Sequence, residues 1–319
     1  MRPVVQFVCA VIALLPGWLH AQESANDCGV ESIVLGIAQD AGIPQIGNPA
    51  DPAWAHPEQR RLATSLALVD RDQGKRYLFE ATPDLREQLQ RLDQLAPIEG
   101  GGLGIDGVFL THAHIGHYAG LIFLGHESAG ARSVPVYAMP RMREFLVANG
   151  PWDQLVRYQN ILLRPLEDAT VTSLSDVLSV TPYRVPHRDE YSETVGFSIR
   201  GPERSVLFIP DVDSWDRWLS EFDRSIKAMI ETHDVAYLDA TFYDDHELGG
   251  RDMSAIPHPR IAAAMDRFDA LAPADRAKVR FIHLNHSNPA RYADSSERAQ
   301  ISERGYRVAE EGERVCLGN

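Results

Sequence analysis

The sequence predicts a layered fold of the α/β or α+β class. Short apolar segments typical of strands alternate along the chain with segments whose apolar residues have helical spacing. The 319 residues, 44% of them hydrophobic, are enough for one large domain or two small ones. No internal repeat, low-complexity tract or long linker interrupts the pattern. We therefore expect strands and helices to pack in layers around a shared core.

The predicted strands are short apolar or β-branched runs bounded by turn residues. The segment Asp40–Glu58 has the Gly, Pro and Asn content of a loop. The last segment, Tyr306–Leu317, predicts a hairpin that turns at Glu311–Gly312. The other predicted strands are Ser32–Ala38, Leu66–Asp70, Arg76–Glu80, Gly107–Thr111, Val134–Ala138, Val177–Val185, Thr194–Ile199, Ser205–Ile209, Val235–Ala240 and Val279–Leu284.

The predicted helices have apolar residues at helical spacing. Thr82 is expected to cap the first helix, with Pro83 at its first position and the helix continuing to about Leu95. A short helix is expected to start near His117. The remaining predicted helices are Arg141–Ala148, Asp153–Gln159, Ser214–Ile230 and Pro259–Leu271.

The chain starts with the pattern of a secretory signal peptide. Arg2 precedes an apolar run over Val4–Leu19, which a Pro-Gly pair interrupts, and Ala21 is a small residue at a cleavage point. The interrupted run is short for a helix that crosses the hydrocarbon core of a bilayer. We expect residues 1–21 to be removed and the mature chain to be secreted or periplasmic, without stable membrane insertion. An uncleaved N-terminal anchor is the alternative.

The net charge argues against a polynucleotide partner. Lys and Arg number 31 against 45 Asp and Glu, which gives a formal net charge of −14. An acidic surface repels phosphate backbones, and the sequence has no basic run that would form a local patch. The expected partner is a small-molecule substrate rather than a nucleic acid, and the sequence leaves the oligomeric state open.

The cysteine content excludes two classes of small domain. Three cysteines are too few for a disulfide-dense scaffold or a Cys-rich zinc module. Cys9 lies in the signal-like segment, which leaves Cys28 and Cys316 near the two ends of the mature chain. In an oxidising compartment, this pair either forms a disulfide that ties the first strand to the last or remains as two buried thiols.

Histidines cluster after one predicted strand. The strand Gly107–Thr111 runs into His112-Ala113-His114-Ile115-Gly116-His117, an HxHxxH motif. Residues i and i+2 of an extended segment point to the same side, so His112 and His114 can converge on one ion. His117, where a helix begins, is placed to reach an adjacent ion. Imidazole binds Zn²⁺ and iron well, and the motif therefore predicts a metal centre.

Further candidate residues lie at the ends of predicted strands. His187 ends the run VTPYRVPH, Asp211 ends SVLFIPD, and the strand RFIHL carries His283. Asp211 is suited to bridging two cations. Two more acids, Asp213 and Asp239, are expected close enough to support the site, and Asp239 can hydrogen-bond a ligating histidine.

The order of HxHxxH, then His, then strand–Asp, then strand–His resembles the metallo-β-lactamase-fold hydrolase superfamily over about Ser32–Leu317. Four segments are similar to the group around the pyrroloquinoline-quinone biosynthesis protein B. They are Gly36–Gln45, Asp239–Phe242, Arg251–Met253 and His283–Pro289.

This resemblance implies a fold and a ligand set. The implied fold is a single four-layer αβ/βα sandwich over residues 22–319, with the metals at one edge. The implied ligands are His112, His114 and His187 at a first metal site and His117 and His283 at a second, with Asp211 as the bridge.

The sequence departs from the superfamily pattern in two places. The usual motif is HxHxDH, and Gly116 stands where that Asp would bind the second metal and handle the leaving-group proton. The change implies a weakened second site, a mononuclear enzyme or a substitute group, for which His286 and His258 are the candidates. The loop after Gly42 lacks the cysteines that hold a structural zinc in many relatives. Because the biosynthesis protein also lacks several of these ligands, the sequence indicates a hydrolase-type member of the group.

The expected chemistry is metal-assisted hydrolysis. A cation held by three imidazoles lowers the pKa of a bound water to about 7, which gives hydroxide at neutral pH. The expected substrate is an ester, phosphodiester, lactone or lactam, with Asp211, His258 and His286 as candidate catalytic residues. The expected cofactor is one or two Zn²⁺ ions, with iron or manganese as alternatives. An iron-dependent oxidoreductase and a non-catalytic metal- or ligand-binding protein are the alternative functions.

Overall fold

Two mixed β-sheets pack face to face in the computed structural model, which describes residues 28–99 and 102–319. Seven strands form each sheet, and helices cover the outer face of both sheets. The four-layer sandwich that the sequence predicts is confirmed. The signal-like segment lies outside the described residues, so its removal and the export of the chain stay predictions.

The strands follow the interleaved order that the sequence indicates. In chain order they are β1 (Val30–Gly36), β2 (Ser65–Asp70), β3 (Lys75–Phe79), β4 (Gly107–Phe109), β5 (Val134–Ala138), β6 (Ile161–Pro165), β7 (Thr172–Ser173), β8 (Ser179–Arg184), β9 (Val195–Arg200), β10 (Ser205–Ile209), β11 (Val235–Asp239), β12 (Val279–Ile282), β13 (Arg307–Val308) and β14 (Arg314–Gly318).

The two sheets have related topologies. The first has the order β14-β1-β2-β3-β4-β5-β6, and the second has the order β13-β12-β11-β10-β9-β8-β7. In the first sheet, the pairs from β3 to β6 are parallel and the others antiparallel. In the second sheet, the pairs from β10 to β13 are parallel. Parallel strands end at one edge of their sheet, so each sheet collects the segments that follow its parallel strands at a single edge.

The helices pack on the outer faces of the sheets. They are α1 (Leu85–Leu95), α2 (Ile115–Tyr118), α3 (Pro140–Ala148), α4 (Trp152–Arg157), α5 (Trp215–Phe222), α6 (Ile226–Glu231), α7 (Ile261–Phe268), α8 (Pro273–Arg276) and α9 (Ser296–Glu303). Leu92 and Leu146 bury α1 and α3 against the first sheet, and Trp218 and Phe268 bury α5 and α7 against the second. Within the described residues, no helix combines the length and the apolar character needed to cross a membrane.

Aromatic residues fill the space between the sheets. The ring of Phe79 on β3 stacks on that of Phe109 on β4, with centroids 5.0 Å apart. It meets Phe197 and Phe208 of the opposite sheet edge-on, at 5.4 and 6.4 Å. All four side chains are fully buried, and burying each contributes about 1.5–3 kcal/mol. This packing holds the two sheets, and the segments at their edges, in a fixed relation.

The two ends of the described chain are joined covalently. Cys28 and Cys316 form a disulfide with a Cα–Cα distance of 5.8 Å, and β1 pairs with β14 beside it. The structure therefore shows the bridged alternative for this pair. The loop after Gly42, which lacks cysteines, is held instead by a buried ion pair in which Arg291 donates to both oxygens of Asp51 at 2.9 Å.

Two predicted elements are wrong. The run Tyr306–Leu317 is not a hairpin, because β13 pairs with β12 in the second sheet and β14 pairs with β1 in the first. The run Ser214–Ile230 is two helices, since Asp223 ends α5 with a φ of 54° and Ser225 caps α6. Apolar spacing continues across that break, and periodicity alone cannot detect it.

Smaller differences concern element ends and short elements. Helix α1 starts at Leu85 rather than Pro83, because Thr82 instead closes a turn in which its carbonyl accepts from the Leu85 N–H. Helix α2 starts at Ile115, before His117. The strands β6 and β7 and the helices α8 and α9 lie outside the predicted elements; β6 is an edge strand with largely exposed residues.

Candidate metal centre

The predicted ligands converge where the two sheets end. His112 and His114 follow β4, and His117 lies in α2, which begins directly afterwards. His187 follows β8, Asp211 follows β10, and His283 follows β12. The structure brings all six predicted metal ligands together, although they come from segments far apart in the chain.

Three imidazoles form the first group. Nδ1 of His114 lies 2.8 Å from Nε2 of His112 and 3.2 Å from Nε2 of His187. In a tetrahedral site with Zn–N bonds of about 2.0–2.1 Å, the nitrogens are about 3.3 Å apart. The two measured separations are within about 0.5 Å of this value, and the three nitrogens all lie within 4.8 Å of one another, so they are placed to share one ion.

Asp211 connects this group to a second one. Its Oδ1 lies 3.8 Å from Nε2 of His187. Its Oδ2 lies 3.0 Å from Nε2 of His117 and 3.4 Å from Nε2 of His283. Since each carboxylate oxygen faces a different set of imidazoles, Asp211 has the position of a bridge between two cations.

An acid that the sequence analysis did not single out lies beside the second group. Oδ1 of Asp40 is 3.7 Å from Nε2 of His117, and donor atoms of Asp40, His117 and His283 all lie within 4.8 Å of one another. Asp40 belongs to the loop that follows β1. Gly116 was the signal in the sequence that could have indicated such an acid, because a residue without a side chain leaves room for a carboxylate from another loop.

The donor atoms of the second group fit a metal ion. Nε2 of His117, Nε2 of His283 and Oδ2 of Asp211 are buried, and none makes a hydrogen bond of good geometry among the described residues; Oδ2 of Asp211 meets Nε2 of His117 as an ion pair at 3.0 Å. A buried polar atom without a hydrogen bond costs about 1–3 kcal/mol, and a divalent cation between the three would satisfy them together. Imidazole nitrogens with a carboxylate oxygen are a donor set for zinc or iron.

The ionisable groups in the centre shift one another's pKa values. Burial and the neighbouring His117 lower the pKa of His112 well below its usual value. Burial acts the same way on His117, but the charges of Asp211 and Glu80 outweigh it and hold that pKa well above its usual value. Burial would raise the pKa of Asp211, yet His283 and His117 hold it well below its usual range. A divalent cation bound here would supply the positive charge that stabilises the Asp211 carboxylate.

Each predicted histidine ligand contacts a partner that orients its ring. The partner atoms lie 2.9 to 3.2 Å from the ring nitrogen on the side away from the donor cluster. The pairs are His112 with Thr111, His114 with Glu190, His117 with Glu80, His187 with Asp213, and His283 with Thr241. Such contacts fix which nitrogen faces the metal. His114 presents Nδ1 to the cluster, and the others present Nε2.

Backbone strain is concentrated at the same place. Seven non-glycine residues in the described part of the chain have positive φ, and three of them are Asp40, Glu80 and His283, with φ of 39°, 82° and 68°. Each such residue costs about 1 kcal/mol or more, which the surrounding structure must offset. Strain of this kind is typical of functional sites.

The two candidate substitutes for the missing acid differ. Nδ1 of His258 lies 2.8 Å from Oδ2 of Asp239 and 3.8 Å from Oδ1 of Asp211, so His258 borders the centre. Burial opposes its charged form, but Asp239 outweighs burial and raises the pKa of His258. His286 is turned away: its Nδ1 contacts Nδ2 of Asn48 at 3.2 Å, and it belongs to none of the ligand groups among the described residues. The structure therefore gives no support to His286 as a ligand or catalytic residue.

The chain is similar to known proteins of one superfamily. The family model of the beta-lactamase superfamily domain matches residues 75–284. Coenzyme PQQ synthesis protein B of Methylorubrum extorquens (strain PA1) is 27% identical over 303 residues, which cover 88% of this chain and 97% of that relative. The crystal structure of Zn²⁺-bound PqqB from Methylobacterium extorquens has 25% identity and a TM-score of 0.73, covering 89% of this chain and 99% of that one. A diphosphatase from the PhnP family, with 22% identity, a TM-score of 0.62 and coverage of 90% and 96%, shares the fold.

The chain belongs to the metallo-β-lactamase superfamily. Its fold and the histidine–aspartate centre at the sheet edges agree with that assignment. Within the superfamily, it is similar to the PqqB group, as the sequence resemblance indicated.

Proposed function

We propose that this chain is an exported metal-dependent hydrolase, with zinc as its metal, that acts on a small ester, phosphodiester, lactone or lactam. The main support is the set of buried donor atoms of His117, His283 and Asp211, which face one another without well-formed hydrogen bonds beside three further imidazoles. The Zn²⁺-bound state of the PqqB relative supports zinc. The net charge of −14 disfavours polynucleotides as substrates.

The protein's own groups prepare the site in three ways. His112, His114 and His187 would hold the first ion, and Asp211 with His117 and His283 would hold the second. Their hydrogen-bonded partners keep each ring in the tautomer that leaves the donor nitrogen free. When bound, the ions acidify a water and polarise the scissile bond of the substrate.

His258 is the proposed proton donor to the leaving group. Its side chain is buried at the border of the centre, and Asp239 contacts Nδ1 at 2.8 Å. A carboxylate at one ring nitrogen stabilises the charged imidazolium, which can then release a proton from the other nitrogen. This assigns to His258 the proton-handling role of the acid that Gly116 replaces.

His258 can be tested through the leaving group. His258→Asn should slow the hydrolysis of substrates with alkoxide-like leaving groups by about 10²- to 10⁴-fold. It should slow nitrophenol substrates much less, because nitrophenolate leaves without protonation. An equal loss with both substrate types would show that His258 only supports the structure.

One observation favours a second candidate function. His117 and His283 lie close to Asp211, and a set of two histidines and one carboxylate is the type that binds non-haem Fe(II) in oxygenases. An iron-dependent oxidoreductase would hold iron after purification from cells grown without added metal, and it would consume oxygen with its substrate.

The deciding experiment combines metal analysis with a substrate panel. The full chain is purified from its export compartment, its zinc, iron and manganese are quantified, and the zinc-loaded protein is assayed on chromogenic phosphodiester, lactone, ester and cephalosporin substrates. We expect bound zinc and turnover of one substrate class. His112→Ala should lose the turnover and the ion of the first group, and the control His56→Asn, whose ring is exposed, should keep both. Stoichiometric iron with oxygen consumption would overturn the hydrolase proposal. Full zinc occupancy without turnover would favour a binding protein.

Export has its own test. The full chain with a C-terminal tag should appear in the periplasm or medium as a form shortened by the first 21 residues. Leu14→Arg, which breaks the apolar run, should retain the uncleaved chain in the cytoplasm. Retention of the unaltered chain in the cytoplasm would refute export.

A further inference from the structure

A side chain at position 116 would collide with Asp40 in the second metal group. An ideal Cβ added to Gly116 would lie 2.4 Å from the Cα of Asp40 and 2.7 Å from its Oδ1. Carbon atoms essentially never approach a backbone atom so closely. The aspartate that usually occupies this position of the motif is therefore excluded by Asp40 itself, and Asp40 already presents a carboxylate at the same place.

The position of Asp40 is tied to that of a ligand. Gln39 N–H donates to the Leu284 carbonyl at 2.9 Å, and Leu284 N–H donates to the Ile37 carbonyl at 2.8 Å. The first bond joins the residues directly beside Asp40 and His283, and both Asp40 and His283 have positive φ. The loop after β1 and the end of β12 therefore hold the carboxylate and the imidazole in one rigid arrangement.

The donor atoms around Asp40 have the arrangement of ligands for a cation. Oδ1 of Asp40 lies 3.7 Å from Nε2 of His117, beyond hydrogen-bond distance. Nε2 of His117, Nε2 of His283 and Oδ2 of Asp211 are buried and make no hydrogen bond of good geometry among the described residues, although Oδ2 lies 3.0 Å from Nε2 of His117. The two histidines mentioned as substitutes do not fill this place, since His286 contacts Asn48 and His258 contacts Asp239.

We propose that Asp40 is a ligand of the second metal ion and replaces, from a different loop, the acid that the HxHxxH motif lacks. The second site then consists of His117, His283, Asp40 and the bridging Asp211, and the chain binds two ions rather than one. This inference rests on the proposed metal centre. Asp40 is 44% exposed at its side chain, so the second ion would face solvent on the Asp40 side.

The test is a measurement of metal binding that does not depend on activity. Asp40→Asn keeps the shape of the side chain, and Asp40→Gly removes it; both residues tolerate the φ of 39°. The matched control is Glu58→Gln, which removes one carboxylate from an exposed position of the same loop. The full chains are stripped of metal and titrated with Zn²⁺ against a chromogenic chelator, and bound zinc is counted by elemental analysis after dialysis.

We expect the unaltered chain and Glu58→Gln to bind two zinc ions. Both Asp40 variants should bind the first ion normally and lose the second by more than the roughly 10- to 100-fold that removal of an outer hydrogen-bond partner causes. Two ions of unchanged affinity in both Asp40 variants would overturn the Asp40 assignment and leave the metal centre intact. A single ion in the unaltered chain would also overturn it. No bound zinc in any chain would instead refute the proposed zinc centre.

Discussion

Glu80 is fully buried beside the second metal group. Glu80→Gln tests whether its carboxylate orients His117. Its Oε1 lies 3.2 Å from Nδ1 of His117 and also accepts from the Thr111 hydroxyl, while Oε2 accepts from the Thr111 N–H at 3.3 Å. Glu80→Gln keeps the volume but leaves a single acceptor oxygen. Either His117 or the Thr111 backbone must then face an NH₂ group.

The size of the effect follows from burial. The Glu80 side chain has no exposed surface, so water cannot replace the lost acceptor. Loss of such an orienting partner weakens metal binding by about 10- to 100-fold, or about 1.4–2.7 kcal/mol. We expect this loss for the ion that His117 binds and no change for the ion at His112, His114 and His187.

Glu190 offers a matched control. It contacts Nε2 of His114 at 2.9 Å, but its side chain is 49% exposed, so water can replace it. Glu190→Gln should weaken the first site by less than about tenfold. Zinc titration against a chelator measures both variants, and thermal unfolding of the metal-free chains checks that they fold. Unchanged affinity in Glu80→Gln, or a larger loss in Glu190→Gln, would refute the reasoning.

Three further predictions concern stability. Cys28→Ser should lower the free energy of unfolding in urea by about 2–5 kcal/mol, as should reduction of the unaltered chain, and equal stability would contradict a structural role for the disulfide. Arg291→Ala leaves Asp51 buried and unpaired, and should cost about 3–5 kcal/mol, part of which Arg291→Ala combined with Asp51→Ala should recover. Burial raises the pKa of Glu247 from 4.5 to about 7, so the unaltered chain should lose stability as pH rises through that range. Glu247→Gln should reduce this change in the free energy of unfolding by about 1–2 kcal/mol, after allowance for solvent screening. An unchanged pH profile would show that Glu247 does not titrate in this range.

Much of the metal centre could be predicted because the relevant signals are local. The alternation of an extended segment places His112 and His114 on one side, and apolar strands lead directly into His187, Asp211 and His283. A sheet of parallel strands collects such strand ends at one edge, so their order in the sequence already indicates a shared site. For these six residues the structure adds distances, and beside them it places Asp40, which the sequence analysis did not single out.

The supporting residues could not be predicted in the same way. Glu80 ends a strand like many other acids in the chain, and only its complete burial beside His117 reveals its role. The same limit applied to the fold. The two strands in Tyr306–Leu317 belong to different sheets, and that choice depends on long-range pairing with β1 and β12, which local hydrophobicity does not encode.

Position 116 shows that a sequence motif cannot reveal a ligand that comes from another loop. Gly116 in HxHxxH reads as a missing ligand, because a motif describes only neighbours in sequence. A metal responds to charge and distance in space, and the same carboxylate can come from any loop that the fold brings within reach. Here the absence of a Cβ is what lets the backbone of Asp40 approach, so glycine and aspartate are complementary parts of one arrangement. Gly116→Asp should therefore displace the loop after β1 instead of adding a ligand, and it should not increase the amount of zinc bound.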